Sequence, residues 1–283
     1  MNSSFNSYGL LGYPLRHSLS PKMHNRVFKE LGIPATYELF EIKPPDLSNF
    51  LKSLRSGNIH GFNVTIPYKQ KILEYVAPDE ESLAIRDIGA VNTVINSNGI
   101  LKGFNTDYIG FGMHLKDLGI NPQGKRVALL GAGGGARAVT YSLISSRVSS
   151  ISVFDIDPSR VDSLIEMAKK IDINFAISRA DDIENLDIKN KDLLVNATPV
   201  GLKKEDPCLI KDEVLNKDQF VYDLIYNPPE TRLLKLAKEK GTRVSNGLGM
   251  LIYQGARAFK YFTDTKVSIE EIAGIMKKAL MEE

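Results

Sequence analysis

The chain has 283 residues, 43% of them hydrophobic, with 36 Lys plus Arg against 34 Asp plus Glu and a formal net charge of +2. This is the composition of a folded protein of one large or two ordinary domains, and it excludes a disordered chain and an electrostatic footprint for nucleic acid or an acidic membrane. Cys208 is alone, His17, His24, His60 and His114 lack metal-ligand spacing, and no run approaches the ~18 apolar residues of a membrane span, so a metal-free cytoplasmic protein is expected.

Met1 to Ser7 is polar, unlike the apolar core of a signal peptide. Tyr8 to Gly12 then reads as a strand, followed by a turn around Pro14. Ser20-Pro21 supplies an N-cap and first-turn pair, and Met23, Val27, Phe28 and Leu31 recur at helical spacing until Gly32 stops the element. Ala35 to Phe40 reads as a strand, Leu47 to Leu54 as a helix and Gly61 to Thr65 as a strand, a βαβ rhythm. Past Pro67 come a short helix and two strands, Gly89 to Ile95 and Ile100 to Phe104, around the turn Asn96-Ser97-Asn98-Gly99. A second βα series runs through Arg126 to Leu130, Ser152 to Phe154, Leu193 to Val195 and Phe220 to Ile225, and such alternation implies a parallel sheet wrapped by helices. Met250 to Phe262 and Ile269 to Met281 read as two final helices. The expected class is α/β, in two domains.

Gly131-Ala132-Gly133-Gly134-Gly135-Ala136 is a G-x-G-x-x-A pattern between a strand and a helix. A bare glycine cluster fits a flexible loop as well, but in this context the glycines let backbone approach a pyrophosphate held at a helix N-terminus. Asp155 ends the next strand, near the spacing of ~20 residues expected of an acid that binds the ribose hydroxyls and repels a 2′-phosphate. It is also a natural start for the turn before Pro158, and Arg160 is a nearby cation able to accommodate such a phosphate. In the first third, Ser18-Leu19-Ser20-Pro21, the run Asn63 to Lys69, and Asn92 with Asn105-Thr106-Asp107 stand on turns or strand ends. Singly, Ser20 and Asp107 fit helix caps and Lys69 a solvated cation; together they have the hydroxyls, amides and charges that line a site for a small hydroxy acid.

Ser18 to Asn25, Gly61 to Lys69, Gly89 to Thr93, Gly103 to Asp107, Gly131 to Ala138, Asn196 to Pro199, Asp223 to Pro228 and Asn246 to Gly255 together resemble the shikimate dehydrogenase family, in order and over nearly the whole chain. The resemblance implies a substrate-binding and catalytic α/β domain over 1–106, completed by the helices of 250–283. The resemblance likewise implies a Rossmann-type, doubly wound NAD(P)-binding domain over 107–249 inserted between them, with the active site in the cleft. It implies that Ser18 and Ser20, helped by Tyr226, hold the substrate carboxylate, that Thr65, Asn92 and Gln254 contact its other polar groups, and that Lys69 and Asp107 form the catalytic pair. On the cofactor side it implies Gly131, Ala132, Gly133, Gly134, Gly135, Asp155, Leu224 and Gly247. The activity implied is reversible reduction of 3-dehydroshikimate to shikimate, in the pathway to chorismate and the aromatic amino acids, by a monomer or homodimer.

Many members of that family that use NADP carry Asn-Arg-Thr where this chain has Asp155-Ile156-Asp157. The arginine clamp for a 2′-phosphate is thus replaced and a carboxylate stands in its place, so NAD is expected over NADP, the usual family cofactor. The Ser pair and the Asn-Val-Thr segment are of the shikimate type, so quinate is expected to be at most a secondary substrate. Two alternatives are a quinate/shikimate dehydrogenase of broader hydroxy-acid specificity and a non-catalytic nucleotide-sensing protein; Lys69 and Asp107 argue against the second.

Overall fold

A computed structural model describes residues 6–15, 18–54, 59–77 and 83–282; His17 and the first part of the polar stretch at the N-terminus lie outside them. In chain order the elements are β1 (Asn6–Gly12), α1 (Ser20–Glu30), β2 (Ala35–Glu41), α2 (Leu47–Ser53), β3 (Ile59–Val64), α3 (Leu83–Ile88), β4 (Thr93–Ser97), β5 (Ile100–Phe104) and α4 (Asp107–Asp117). They continue with β6 (Arg126–Leu130), α5 (Gly134–Ser145), β7 (Ser150–Phe154), α6 (Pro158–Ile171), β8 (Ala176–Arg179), β9 (Leu193–Asn196), β10 (Phe220–Asp223), α7 (Arg232–Glu239), β11 (Arg243–Ser245), α8 (Leu248–Thr263) and α9 (Ile269–Met281). The chain forms two compact units, Met1–Gly110 with Ile252–Glu283, and Phe111–Leu251.

The first unit is built on a mixed sheet of order β2-β1-β3-β4-β5. Its first three strands are parallel, and β4 and β5 turn back antiparallel, joined at Asn98 (φ 53°) and Gly99 (φ 87°), a two-residue turn that suits a right-twisted hairpin. One face of α1 buries Met23, Val27 and Phe28. Gly32 (φ 63°) ends that helix, with the Ile33 N–H donating to the Phe28 carbonyl. The core of this unit gathers Leu11, Phe62, Val64, Tyr68, Ile72 and Val94.

The second unit is a six-stranded sheet of order β11-β10-β9-β6-β7-β8, parallel throughout. Val127 to Leu130 of β6 are all buried, as expected of a central parallel strand covered on both faces. The strand order reverses between β6 and β9, so the loops after β6, β7 and β9 meet at the topological switch point where doubly wound sheets bind ligands. No helix among the described residues is long and apolar enough to cross a membrane.

Some local expectations are corrected. Gly89 does not open a strand: it adopts φ 66° and donates to the Ile85 carbonyl, so it closes α3, and β4 starts only at Thr93. Strand β10 ends at Asp223 rather than Ile225, because its last residue turns inward to bind the following loop. Strands β8 and β11, absent from the reading of the sequence, are short sheet edges with little buried surface and therefore no apolar run to betray them.

Gly249, in the first turn of α8, lies against the His114 ring, and a Cβ there would stand 2.2 Å from His114 Nε2. That ring is fixed by a 2.7 Å contact between its Nδ1 and the Tyr222 hydroxyl. Gly249→Ala is therefore expected to overpack this contact at a cost of about 1–3 kcal/mol, lowering the urea midpoint without changing the m-value.

Candidate active site

The hairpin β4–β5 brings Asn92, just before β4, level with Asn105 to Asp107, just after β5. The Asn92 side chain joins the two segments: its Oδ1 accepts from the Thr106 N–H at 2.6 Å, and its Nδ2 lies 2.8 Å from Asp107 Oδ1 and 2.9 Å from Thr106 Oγ1. Gln254 of α8 enters the same cluster, its Oε1 lying 3.2 Å from Asn92 Nδ2 and 3.3 Å from Thr106 Oγ1. The other Asp107 oxygen, Oδ2, accepts from Lys69 Nζ at 2.7 Å. Lys69 stands in the turn following β3, held there by its own carbonyl, which accepts from the Val91 N–H at 2.7 Å.

Asp107 is 5% exposed, so its charge is compensated inside the protein, by one ammonium and one amide. The Lys69 side chain keeps 19% of its surface, enough for a ligand to reach it. This is an ammonium whose orientation is fixed by a buried carboxylate, next to neutral donors and acceptors, an arrangement suited to exchanging a proton with a substrate oxygen. Asp107 is the first residue of α4 and does not cap it; the Asn105 side chain accepts from the Asp107 N–H at 3.0 Å, which leaves the Asp107 carboxylate to Lys69 and Asn92.

Ser20 likewise departs from the capping role expected of it. The position before α1 is Leu19, with no side-chain cap, and Ser20 is the first helical residue, so Pro21 moves to the second. Ser18 Oγ accepts from the Ser20 N–H at 3.2 Å, which places the Ser18 hydroxyl at the start of α1. Thr65 lies at the end of β3, its N–H donating to the Leu11 carbonyl.

Residues that the sequence did not single out link these parts. The Tyr37 hydroxyl, with Ser20 as a further hydrogen-bond partner, donates to Asn63 Oδ1 at 2.8 Å, and Asn63 Nδ2 donates to Thr93 Oγ1 at 3.0 Å. Thr93 in turn donates to Asn92 Oδ1 at 3.0 Å. A continuous buried network thus runs from Tyr37 of β2 to the Lys69–Asp107 pair. Asn63 and Thr106 lie within the polar clusters noted in the sequence, whereas Tyr37 sits in a strand and carries no local signal. His24 stacks on Tyr37 with ring centroids 4.2 Å apart, and burial pushes its pKa down to about 3, so it is a neutral packing residue rather than an acid or base.

In the second unit, Gly131 follows β6 with φ 96°, a conformation open to glycine, and a Cβ there would stand 2.9 Å from the Ala197 carbonyl oxygen. Gly133 precedes α5 with open space where its Cβ would be, so the N-terminal N–H groups of the helix are approachable. Asp155 does more than start a turn: Oδ2 accepts from the Ala132 N–H at 2.8 Å and Oδ1 from the Asp157 N–H at 3.0 Å, which fixes it against the glycine loop. Asp157 caps α6 through the Ser159 N–H, and Arg160 pairs with it at 3.2 Å. Ile156, between the two acids, is 91% exposed. Leu224 follows β10, and Gly247 packs against it so closely that a Cβ would stand 2.0 Å from its carbonyl oxygen. Tyr226 lies on the same loop, in this unit rather than with Ser18 and Ser20, and burial raises its pKa. Among the described residues no group of three or more His, Cys, Asp or Glu is arranged to hold a metal.

Residues 10–94 match the family profile described as the shikimate dehydrogenase substrate binding domain, and residues 247–281 that of the shikimate 5′-dehydrogenase C-terminal domain. The chain is 40% identical over 274 residues to the shikimate dehydrogenase (NADP(+)) of Alkaliphilus metalliredigens, covering 95% of each chain. It is similar to the crystal structure of shikimate dehydrogenase from Aquifex aeolicus, with a TM-score of 0.89 and 34% identity over the whole of both chains. It is also similar to shikimate 5-dehydrogenase from Listeria monocytogenes in complex with shikimate and NAD, with a TM-score of 0.84 and 33% identity over 98% of each chain.

The polar cluster makes a stability prediction that is independent of turnover. Asn92→Ala strips partners from the buried Thr106 N–H and from one oxygen of Asp107, and is expected to cost about 1–3 kcal/mol in chemical denaturation.

Proposed function

The chain belongs to the shikimate dehydrogenase family, and we propose on that footing that it interconverts 3-dehydroshikimate and shikimate with a nicotinamide dinucleotide, in the pathway to the aromatic amino acids. The observation that carries the reading is the 2.7 Å contact between Lys69 and Asp107, with Asn92 on the second carboxylate oxygen. Residues 1–106 with 250–283 form the substrate domain in this reading, and 107–249 the nucleotide domain.

The open backbone at Gly133, the left-handed Gly131 and the exposed start of α5 fit a pyrophosphate. Gly131, Ala132, Gly133, Gly134 and Gly135 hold it, with Leu224 and Gly247 on the nicotinamide side. When bound, the nicotinamide supplies the hydride chemistry. In ketone reduction charge develops on the carbonyl oxygen, and the Lys69–Asp107 pair delivers the proton there; in oxidation the same pair withdraws it. Asp107 keeps the ammonium of Lys69 aimed and binds a neighbouring substrate hydroxyl. Asn92, Thr65 and Gln254 bind the remaining hydroxyls, while Ser18 and Ser20 bind the carboxylate. Lys69→Ala is expected to lower kcat for shikimate oxidation by about 10²–10⁴-fold while changing KM much less. A variant that kept near-full kcat would remove the pair from the mechanism.

The end of β7 favours NAD over NADP. Each oxygen of Asp155 retains acceptor capacity beyond its one backbone donor, so it can bind ribose hydroxyls, and its charge repels a 2′-phosphate. Ile156 offers no cation, and Arg160 is engaged by Asp157. The expected kcat/KM is higher for NAD than for NADP by about tenfold or more, and the double variant D155N/I156R is expected to shift the ratio toward NADP by a similar factor. Wild-type preference for NADP, measured at one pH and salt concentration, overturns this assignment and leaves the reaction standing.

A further inference from the structure

Asp223, at the end of β10, is 0% exposed. Its partners are all neutral: Oδ1 accepts from Asn196 Nδ2 and from the Ile225 N–H, each at 3.0 Å, and Oδ2 accepts from Thr231 Oγ1 at 2.6 Å. The cations on neighbouring elements are not bonded to it: Arg243 of β11 lies over the Phe220 ring and donates to the Leu118 carbonyl, and Arg232 of α7 acts on Asp206. Its titratable neighbours in sequence, Tyr222 and Tyr226, are kept neutral by burial, and Tyr222 is bonded to His114 of α4.

Those three contacts tie together the loops at the C-terminal ends of β9 and β10. Asn196 also accepts from the N–H and hydroxyl of Thr198, at 3.0 and 2.7 Å, and so shapes the loop of Ala197 to Gly201. Thr231 is the N-cap of α7 and closes the loop that carries Leu224 and Tyr226. Both loops press on the glycine loop, where Ala197 O lies 2.9 Å from the Cβ position of Gly131 and Leu224 Cδ2 lies 3.2 Å from that of Gly135. A shift in either is passed to the backbone that receives the pyrophosphate.

We propose that Asp223 is a positioning residue for dinucleotide binding, setting through Asn196 and Thr231 the two loops that flank the glycine loop; this rests on the dinucleotide reading of the second unit. The fold gains nothing from the charge itself. Burial raises the Asp223 pKa from 3.8 to about 6, so between those values the folded state binds more protons than the unfolded chain. Its contribution to stability therefore falls as pH rises through that window, and above it the carboxylate is a net cost. An asparagine would keep the packing and two of the acceptor contacts without that cost, but would forfeit the charge-assisted bond from Thr231. A buried acid that weakens the fold yet anchors two ligand-facing loops is the pattern of a residue kept for its site.

The test compares wild type, Asp223→Asn and Thr231→Val, which removes the same short bond from its other end. Thermal unfolding is followed between about pH 4 and pH 8, and NADH and NADPH binding by fluorescence titration. Asp223→Asn is expected to match or exceed wild-type Tm at about pH 8 and to flatten its fall with rising pH. In both variants the Kd of the preferred dinucleotide is expected to rise about tenfold or more, while shikimate KM at saturating dinucleotide stays within about twofold. Dinucleotide Kd within about twofold of wild type in either folded variant overturns the proposal. Failure of the wild type to bind either dinucleotide overturns the reading of the unit, and this inference with it.

Discussion

A carboxylate taken out of water needs a partner for each of its oxygens, and around Asp107 that requirement organises the first unit. Lys69 satisfies one oxygen and Asn92 the other. Asn92 reaches Asp107 because β4 and β5 form a tight hairpin whose two ends lie side by side, and Lys69 does so because its carbonyl is tethered to Val91. The same Asn92 amide recruits Gln254, from a helix far along the chain. Asp107 and its partner Asn92 are therefore also the point where the sheet, the turn after β3 and α8 are joined. In the proposed reaction, catalytic geometry and local stability draw on one set of hydrogen bonds.

In the second unit the constraint is topological. A parallel sheet whose order reverses at β6 and β9 must open a crevice at its C-terminal edge, and the groups assigned there stand at that edge or on the loops leaving it. Gly131 follows β6, Asp155 follows β7, Asn196 ends β9 and Leu224 follows β10. Close packing makes these loops interdependent, since the Cβ positions of Gly131, Gly135 and Gly247 are all crowded by neighbouring loops. Glycine serves here less for flexibility than for approach: only a residue without a side chain lets Leu224 and Gly247 lie so near each other.

Much of this was legible in the sequence, for identifiable reasons. Strand β6 has the bounds read from Arg126 to Leu130, and α9 those read from Ile269 to Met281, because a continuous apolar run and an amphipathic period survive any tertiary context. Edge strands β8 and β11 bury too little to leave such a trace. Lys69, Asn92 and Asp107 stood out as polar residues at strand ends, but their mutual contact depends on the register of β4 and β5, which no local pattern encodes. Ser20 and Asp107 looked like caps, since those residue types at helix starts usually are; Asn105 meets the Asp107 N–H instead, and α1 begins without a side-chain cap. Thr93 and Asp223 lie in segments that carry the family resemblance but drew no role, and Tyr37 carried no signal at all, because each lies in a strand, where burial of a polar group is decided by what packs above it.

Three aspartates show how partners rather than residue type assign a role. Asp107 is buried beside an ammonium and near a surface that a ligand can reach, so its charge is available to direct proton transfer. Asp155 is half-buried, with one backbone donor on each oxygen and capacity to spare, so in the proposed reading its charge sorts dinucleotides by their phosphates. Asp223 is fully enclosed by neutral donors, and burial alone sets its affinity for a proton, so its charge is visible only to the loops it holds. A substitution of Asp by Asn is chemically the same change at all three positions. At Asp107 it removes the counter-charge of Lys69, at Asp155 it removes repulsion of a phosphate, and at Asp223 it removes a cost to folding together with an anchor.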